Sequence, residues 1–403
     1  MNQHEPKNPS PGRRQAVLGL AAAGASLALP FGASRALAQS KPPFRIGVLN
    51  TFSKMGSVGI SNFNAMNLYF DEIGWQVAGR KIEVVREDDE MNPQVGLQKL
   101  RKLVESDKVD MIFGPQLSNV AMAILDYVRT TKTFLLVSGA GITSLAWAGI
   151  PYMFRSSTTT IQICHPLGEW VYDNGGKEIV TVAADFAGGR DTVKEFKSSY
   201  LAKGGKIIKE IWAPLGTADY SPYLIDLRSI APTMSFNFFF GADAVRYVKQ
   251  YDEFGLKAKT RLTGFAIVEG DTIPGQGKSC LGGITSAPWT DQLDNAENKK
   301  FVAAYRAKHN AYPDFYGEYG YTAAKVVGET LKATNGEFAD KDRFAKAMVN
   351  VKFNAPRGPF AFDPATNTQI QNMYIREAVE RDGRIVNKVI ATYKDVRVPA
   401  KPV

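Results

Sequence analysis

From Phe44 onward the chain alternates short β-branched runs with longer amphipathic ones, and it does so in two successive series. That rhythm confines it to parallel sheets wrapped by helices. FRIGVL at 44–49, KIEVV at 81–85, VDMIF at 109–113 and TFLLV at 133–137 read as strands, with helices over 62–73, 93–105 and 118–129 between them. The series restarts after Arg155. EIVTVAA at 178–184, KIIKEIW at 206–212, FNFFF at 236–240 and RLTGF at 261–265 are strands, separated by helices at about 160–174, 190–202, 220–229 and 242–254. The remainder, mostly helical at 295–309, 316–334 and 341–350 before a strand pair at 373–379 and 385–393, must divide its parts between the first two units. The expectation is an α/β protein of two Rossmann-like lobes with a hinged cleft between them. The first lobe is placed at 39–157 plus 288–352 and the second at 158–287 plus 353–395, with a tail at 396–403 and crossings near 155–160, 286–290 and 351–357.

Residues 1–38 read as an export leader: Arg13 and Arg14, then an apolar run from Ala16 to Leu29, then Ala36-Leu37-Ala38 as a cleavage site before Gln39. The run falls short of the ~20 residues that cross a bilayer. The paired arginines admit the twin-arginine route, although Gly12 and Ala16 depart from its usual pattern, so the general secretory route stays open. Without the leader, which holds Lys7, Arg13, Arg14 and Arg35 against Glu5, the formal net charge of +9 falls to +6. That charge is scattered, with no basic block of the kind nucleic-acid binding needs. Cys164 and Cys280 are far apart in sequence and outside any metal-ligand spacing, and are expected as two separate buried thiols.

Five stretches together resemble the leucine/isoleucine/valine-type periplasmic binding proteins of ABC importers: IGVLNTFS at the first strand and turn, EDDEMNPQVGLQKLRKLVESDKVDMIFGPQLS, YMFRSSTTT, ADFAGGRD and EYGYTAAKVV. The resemblance spans the whole mature chain. It implies the type I periplasmic binding fold, a periplasmic location, a small-molecule ligand, an inner-membrane ABC permease as partner and no cofactor. A monomer is expected. A branched-chain amino-acid binder, or a ligand sensor of the same fold, are the alternatives.

In open α/β sheets ligands bind beyond the carboxyl ends of the strands, and two facing lobes make the cleft the expected site. FGPQLSN puts Gln116, Leu117 and Ser118 at a turn entering a helix, where free N–H groups favour an anion; an ordinary helix cap is the plainer account of Ser118. Ser138, Gly139 and Ala140 form a second small-residue turn that lets amides approach a carboxylate. In the family that FGPQLSN and its neighbours resemble, these two turns hold the ligand carboxylate together.

The departures bear on the ligand. The acidic residue that pairs with an amino acid's ammonium in that family is replaced by Ala266, leaving Asp243 or Glu269 as the alternatives, and the aromatic residue of the ADFAGGRD turn is replaced by Gly188. An unpartnered buried ammonium is costly. A roomier pocket without an ammonium partner suits a larger carboxylate, in particular an aromatic acid. Phe52, Phe186, Phe265, Trp289 and Tyr316 are candidates to wall it, with core packing the alternative for each. Arg155 at the first crossing could grip a carboxylate or pair locally.

Catalysis is not expected. After the leader only His165 and His309 remain as histidines, in different helices, and no G-x-S-x-G elbow, G-x-G-x-x-G turn or P-loop occurs.

Overall fold

The computed structural model describes residues 41–54 and 56–401; the expected leader lies outside them, as do the last two residues of the tail. In chain order the first series runs β1 (Lys41–Asn50), α1 (Gly56–Glu72), β2 (Gln76–Val77), β3 (Arg80–Asp88), α2 (Pro93–Arg101), β4 (Met111–Phe113), α3 (Ser118–Thr131), β5 (Phe134–Val137) and β6 (Met153–Arg155). The second runs α4 (Thr160–Asp173), β7 (Glu178–Ala184), α5 (Ala187–Ala202), β8 (Lys206–Ala213), α6 (Ser221–Ile230), β9 (Met234–Phe238), α7 (Gly241–Glu253), β10 (Arg261–Phe265), α8 (Ile273–Gln276) and β11 (Ile284–Ala287). There follow α9 (Ala296–His309), α10 (Phe315–Ala333), α11 (Lys341–Val349), β12 (Lys352–Ala355), β13 (Gly358–Asp363), β14 (Thr368–Arg381) and β15 (Arg384–Val396).

Each series makes a parallel sheet, ordered β3-β1-β4-β5-β6 in the first and β8-β7-β9-β10-β11 in the second. Strands covered by helices on both faces must be apolar throughout, which is why MIF and FLLV are buried at every position. Local signals set the helix starts. Asn92 accepts from the N–H groups of Gln94 and Val95 ahead of α2, Thr159 and Gln162 form a capping box on α4, and Asp314 caps α10. The first core gathers Phe44, Phe113, Phe134, Phe154 and Phe344 with α1, α9 and α10, and the second sheet is packed by separate clusters that include Cys280 and Cys164 respectively. Both cysteines are buried free thiols.

One strand joins the sheets. β14 begins beside β6, where Thr368 pairs with Arg155, and beside β13, where Ile370 pairs with Ala361. It then runs antiparallel to β11, pairing Tyr374–Glu377 with Ala287–Ile284. The sequence places the third crossing at 351–357 and gives 353–395 to the second lobe. Instead 352–363 folds as the hairpin β12–β13, with Ala355, Phe360 and Phe362 among the first core, and the chain crosses within β14. The alternating apolar side chains of that hairpin need a covered face, and the first core supplies it.

The crossings are polar and buried. Arg357, fully buried, pairs with Glu318 of α10, donates to the Ser156 carbonyl at 3.0 Å and to Gln371 Oε1 at 2.8 Å. Gln371 in turn donates to Thr158 Oγ1 at 2.7 Å. Arg376 pairs with Glu269 and donates to the Trp289 carbonyl at 2.8 Å and Thr285 Oγ1 at 2.9 Å. Removing one partner of such a pair strands a buried charge, whereas replacing both with apolar groups is far cheaper. Glu318→Ala should therefore lower unfolding stability by about 3–5 kcal/mol, and Glu318→Leu with Arg357→Met by much less, as read from guanidinium unfolding.

Candidate functional site

Two turns at the carboxyl ends of β4 and β5 are stitched to each other. Ala140 N–H donates to the Pro115 carbonyl at 3.0 Å, and Ile142 N–H donates to Ser118 Oγ at 3.2 Å. Gly139 is required by closeness: a Cβ there would lie 2.0 Å from Gln116 Oε1 and 2.7 Å from its Cα. Gln116 is 7% exposed, and neither the nitrogen nor the oxygen of its buried carboxamide has a protein partner. Ser118 is the first residue of α3 rather than its cap; Leu117 holds that position and offers no side-chain bond, so of the first-turn N–H groups only that of Val120 has a side-chain acceptor, Asn119 Oδ1 at 2.9 Å. Arg155 is buried and committed to this turn, donating to the carbonyls of Ala140 and Ile142. Burial pulls its pKa down to about 9. It positions the turn and is not presented to a ligand.

Asn62, which the sequence reading missed, ties the turn to α10. Its Nδ2 donates to the Ser138 carbonyl at 3.2 Å and the Tyr316 carbonyl at 3.0 Å, so Ser138 and Tyr316 are neighbours across one side chain. Next to it Ser61 donates to Asp314 at 2.7 Å. Two candidates stand elsewhere. Phe52 packs edge-on to Phe63 with the Arg86 guanidinium 4.7 Å over its ring, and Trp289 is a core residue, donating to Asn298 at 2.6 Å and packed on Phe301.

On the second lobe the strand ends carry a row of phenylalanines. Phe186 stacks on Phe238 (6.2 Å), Phe238 on Phe265 (5.5 Å), and Phe240 meets Phe186 at 5.8 Å. Phe238 and Phe240 read only as strand in the sequence. The room expected from Gly188 is filled by Phe186, whose ring lies 2.6 Å from where a Cβ would stand. Neither alternative ammonium partner is free: Asp243 accepts from the Gly216 N–H at 2.8 Å and pairs with Arg246, and Glu269 is held by Arg376. Ala266 is buried with φ +58°, a strained conformation for a residue with a side chain, of the kind that gathers at ligand sites.

The lobes meet over Val58, Phe315 and Tyr316 on one side and Phe240, Gly241, Ala266, Glu269 and Asp271 on the other, around a void of about 10 Å³. That is roughly the room for a single water, so these residues pack closely across the two lobes. Of the sequence-named candidates, Ala266, Glu269 and Tyr316 line this void. Asp271 was not anticipated. Burial, reinforced by Asp314 and Glu269, pushes its carboxyl up to about 7. A separate cavity of about 610 Å³ shares Glu269 and Phe315 with the void and opens under the β14–β15 turn, where Arg384 stacks 3.7 Å over Tyr312.

Two parallel-sheet lobes joined through buried polar crossings and closed over a small cleft define a hinged solute receptor. The chain belongs to the periplasmic binding protein family, whose pattern matches residues 43–384. It is 28% identical over 359 residues to Leu/Ile/Val-binding protein homolog 6 of Brucella melitensis, covering 87% of this chain and 91% of that protein. A solute binding protein of an ABC transporter from Rhodopseudomonas palustris BisB5, solved with 3,4-dihydroxybenzoic acid, is 32% identical with a TM-score of 0.85, over 89% of this chain and 99% of that one. Another from R. palustris, solved with benzoate, is 28% identical with a TM-score of 0.82, over 90% and 100%. The family and these neighbours are solute-binding proteins. Among the described residues no helix is long and apolar enough to cross a membrane, and no three His, Cys, Asp or Glu gather as a metal cluster.

Asp271 holds its proton more tightly folded than unfolded. Its ionisation therefore erodes stability as pH rises from the unfolded value near 4 to the folded value near 7, and the loss is complete above that. Asp271→Asn should raise Tm over wild type more at pH 8 than at pH 5; an equal difference at both pH values contradicts the assignment.

Proposed function

We propose that this protein is exported, loses residues 1–38 by cleavage before Gln39, and carries an aromatic carboxylate to an inner-membrane ABC permease as a monomer without a cofactor. The first lobe is taken as 39–157 plus 288 to the end of the β12–β13 hairpin, and the second as 158–287 plus the rest of β14 and β15. The observation that carries the ligand class is the contrast between the two faces of the cleft. One side has the stitched turns of Gln116, Ser118, Ser138, Gly139 and Ala140, with an unpaired carboxamide and a helix start at which no side chain caps the Ser118 and Asn119 N–H groups; the other has the phenylalanine row at the strand ends and Ala266 on the interlobe void.

The turns supply hydrogen-bond donors and a helix start for a carboxylate. Phe186, Phe240, Phe265 and Tyr316 supply ring faces for an aromatic body. The two R. palustris neighbours, which hold benzoate and 3,4-dihydroxybenzoic acid, support this reading. The names of the Brucella relatives favour a branched-chain amino acid instead, against which stands Ala266 in place of an acid just past β10. Closure works by differential affinity. A ligand that touches both lobes only when they are shut stabilises that state, and the shut outer surface is what a permease would recognise.

Thermal unfolding with benzoate, hydroxybenzoates, leucine and valine tests the class. An aromatic acid at about 100 times its Kd adds ~2.7 kcal/mol of stability, a shift of several degrees. Gln116→Ala should weaken aromatic-acid binding about tenfold in calorimetry, the worth of one charge-assisted hydrogen bond. A shift with leucine or valine alone would contradict the aromatic reading and keep the receptor.

A further inference from the structure

We infer that residues 397–400 form a strap between the lobes, whose seat on the first lobe favours their close-packed arrangement and so sets how tightly the protein holds any solute. The inference goes beyond the aromatic-carboxylate reading, because it concerns the balance between the lobes and not the solute in the cleft.

The sequence leaves 396–403 as a tail outside both lobes, whereas the structure seats it. β15 runs back along β14 to the crossing, where Gln162 of α4 donates to the carbonyls of Val396 at 3.1 Å and Gln369 at 2.9 Å. From there the chain leaves the second sheet and lies on the first lobe. Arg397 comes within 3.7 Å of Asp363 at the end of β13, and the Pro399 carbonyl accepts from Trp147 Nε1 at 2.7 Å. Ala400 helps to wall a cavity of about 380 Å³ together with Trp147, Ile150, Met153 and Asn367. Between these anchors Val398 is 3% exposed, clustered at once with Ala146 of the first lobe and Ile161 of the second.

This fourth tie differs in kind from the other crossings. Those are held by buried ion pairs and strand pairing. Past Val396 the strap has no strand partner among the described residues, and the Arg397 pair is exposed and contributes little. Its hold comes from one hydrogen bond and one small apolar side chain, so it can leave its seat while the crossings stay intact. Val398 is buried from both sides only while Ala146 and Ile161 stay together, so its burial favours one setting of the lobes. A tie made in only one of two arrangements shifts the balance by its differential energy. The anchor is also close in sequence to the site: Trp147 ends the helical turn Thr143–Trp147, directly after Ile142, whose N–H bonds Ser118 and whose carbonyl takes Arg155. Apparent affinity scales with the fraction of molecules in the binding arrangement, so losing the strap weakens every solute by the same factor.

Pulsed dipolar spectroscopy of the exported protein without solute tests this, with spin labels at Lys346→Cys on α11 and Lys249→Cys on α7, both exposed, and with Cys164 and Cys280 buried. Truncation after Val396 should reduce the closed-lobe distance population several-fold. Trp147→Phe, which keeps an aromatic ring and removes only the N–H, should lie between truncated and full-length protein and reads the same effect if the truncated chain does not fold. In calorimetry with benzoate, 4-hydroxybenzoate, leucine and valine, truncation should raise the Kd of each ligand that binds by one common factor, about tenfold, and Trp147→Phe by about threefold, the worth of one neutral hydrogen bond. Distance populations unchanged in both variants overturn the strap whichever solutes bind. A loss confined to one ligand also overturns it, because that marks a contact in the cleft. Shifted distances with no binding of either aromatic acid support the strap and overturn the aromatic reading alone.

Discussion

Everything about this molecule hangs on β14. A single strand starts in the sheet of the first lobe and finishes in that of the second, so the two sheets share one hydrogen-bonded connection near the cleft. Its inward side chains are the polar residues of the crossings. Gln369 and Gln371 hold the 156–159 segment, and Arg376 holds the Trp289 carbonyl and Glu269. A purely apolar contact here would be non-directional and would leave the lobes free to slide. Directional bonds to main-chain carbonyls fix the line about which they turn, and the desolvation of two arginine–glutamate pairs is the cost of that definition. The hinge is thus set by the same residues that close the fold.

From that line the site follows. Asn62 ties the turn after β5 to Tyr316, and Tyr316 meets Phe240 and Ala266, which follow the strand ends of β9 and β10, across the void between the lobes. One face arrives polar and the other aromatic. Arg155 illustrates the economy of the arrangement: a cationic residue at the crossing, open on its sequence alone to a role as an anion grip, is instead spent on two carbonyls that shape the turn. In the proposed site an anion would meet neutral donors and a helix start, which need no buried charge that must be neutralised when the cleft is open.

The strands and helices of both lobes were legible because period-2 and period-3.6 patterns mark them directly, and strands β1, β3, β5, β7 and β10 sit where the apolar runs put them. What the sequence could not show is pairing across long separations. β6, β11 and the β12–β13 hairpin are short, and their identity depends on the strands they meet rather than on their own composition. As candidates for the site, Gln116, Ser118, Ser138, Gly139, Ala140, Ala266 and Tyr316 were nameable because turn chemistry and the family resemblance mark them. What the sequence does not show for Phe52, Trp289 and Asp243 is the local partner each has in the fold, Arg86, Asn298 and Arg246 respectively. Asp271 was invisible because what distinguishes it is the company of Asp314 and Glu269, far away or already paired.

The central claim is that an aromatic carboxylate draws the lobes together. Small-angle X-ray scattering of the exported protein, with and without a saturating hydroxybenzoate, measures it most directly. The account predicts a radius of gyration that falls on adding the aromatic acid and does not respond to leucine. A radius that stays constant with every aromatic acid, or that contracts with leucine alone, would contradict it.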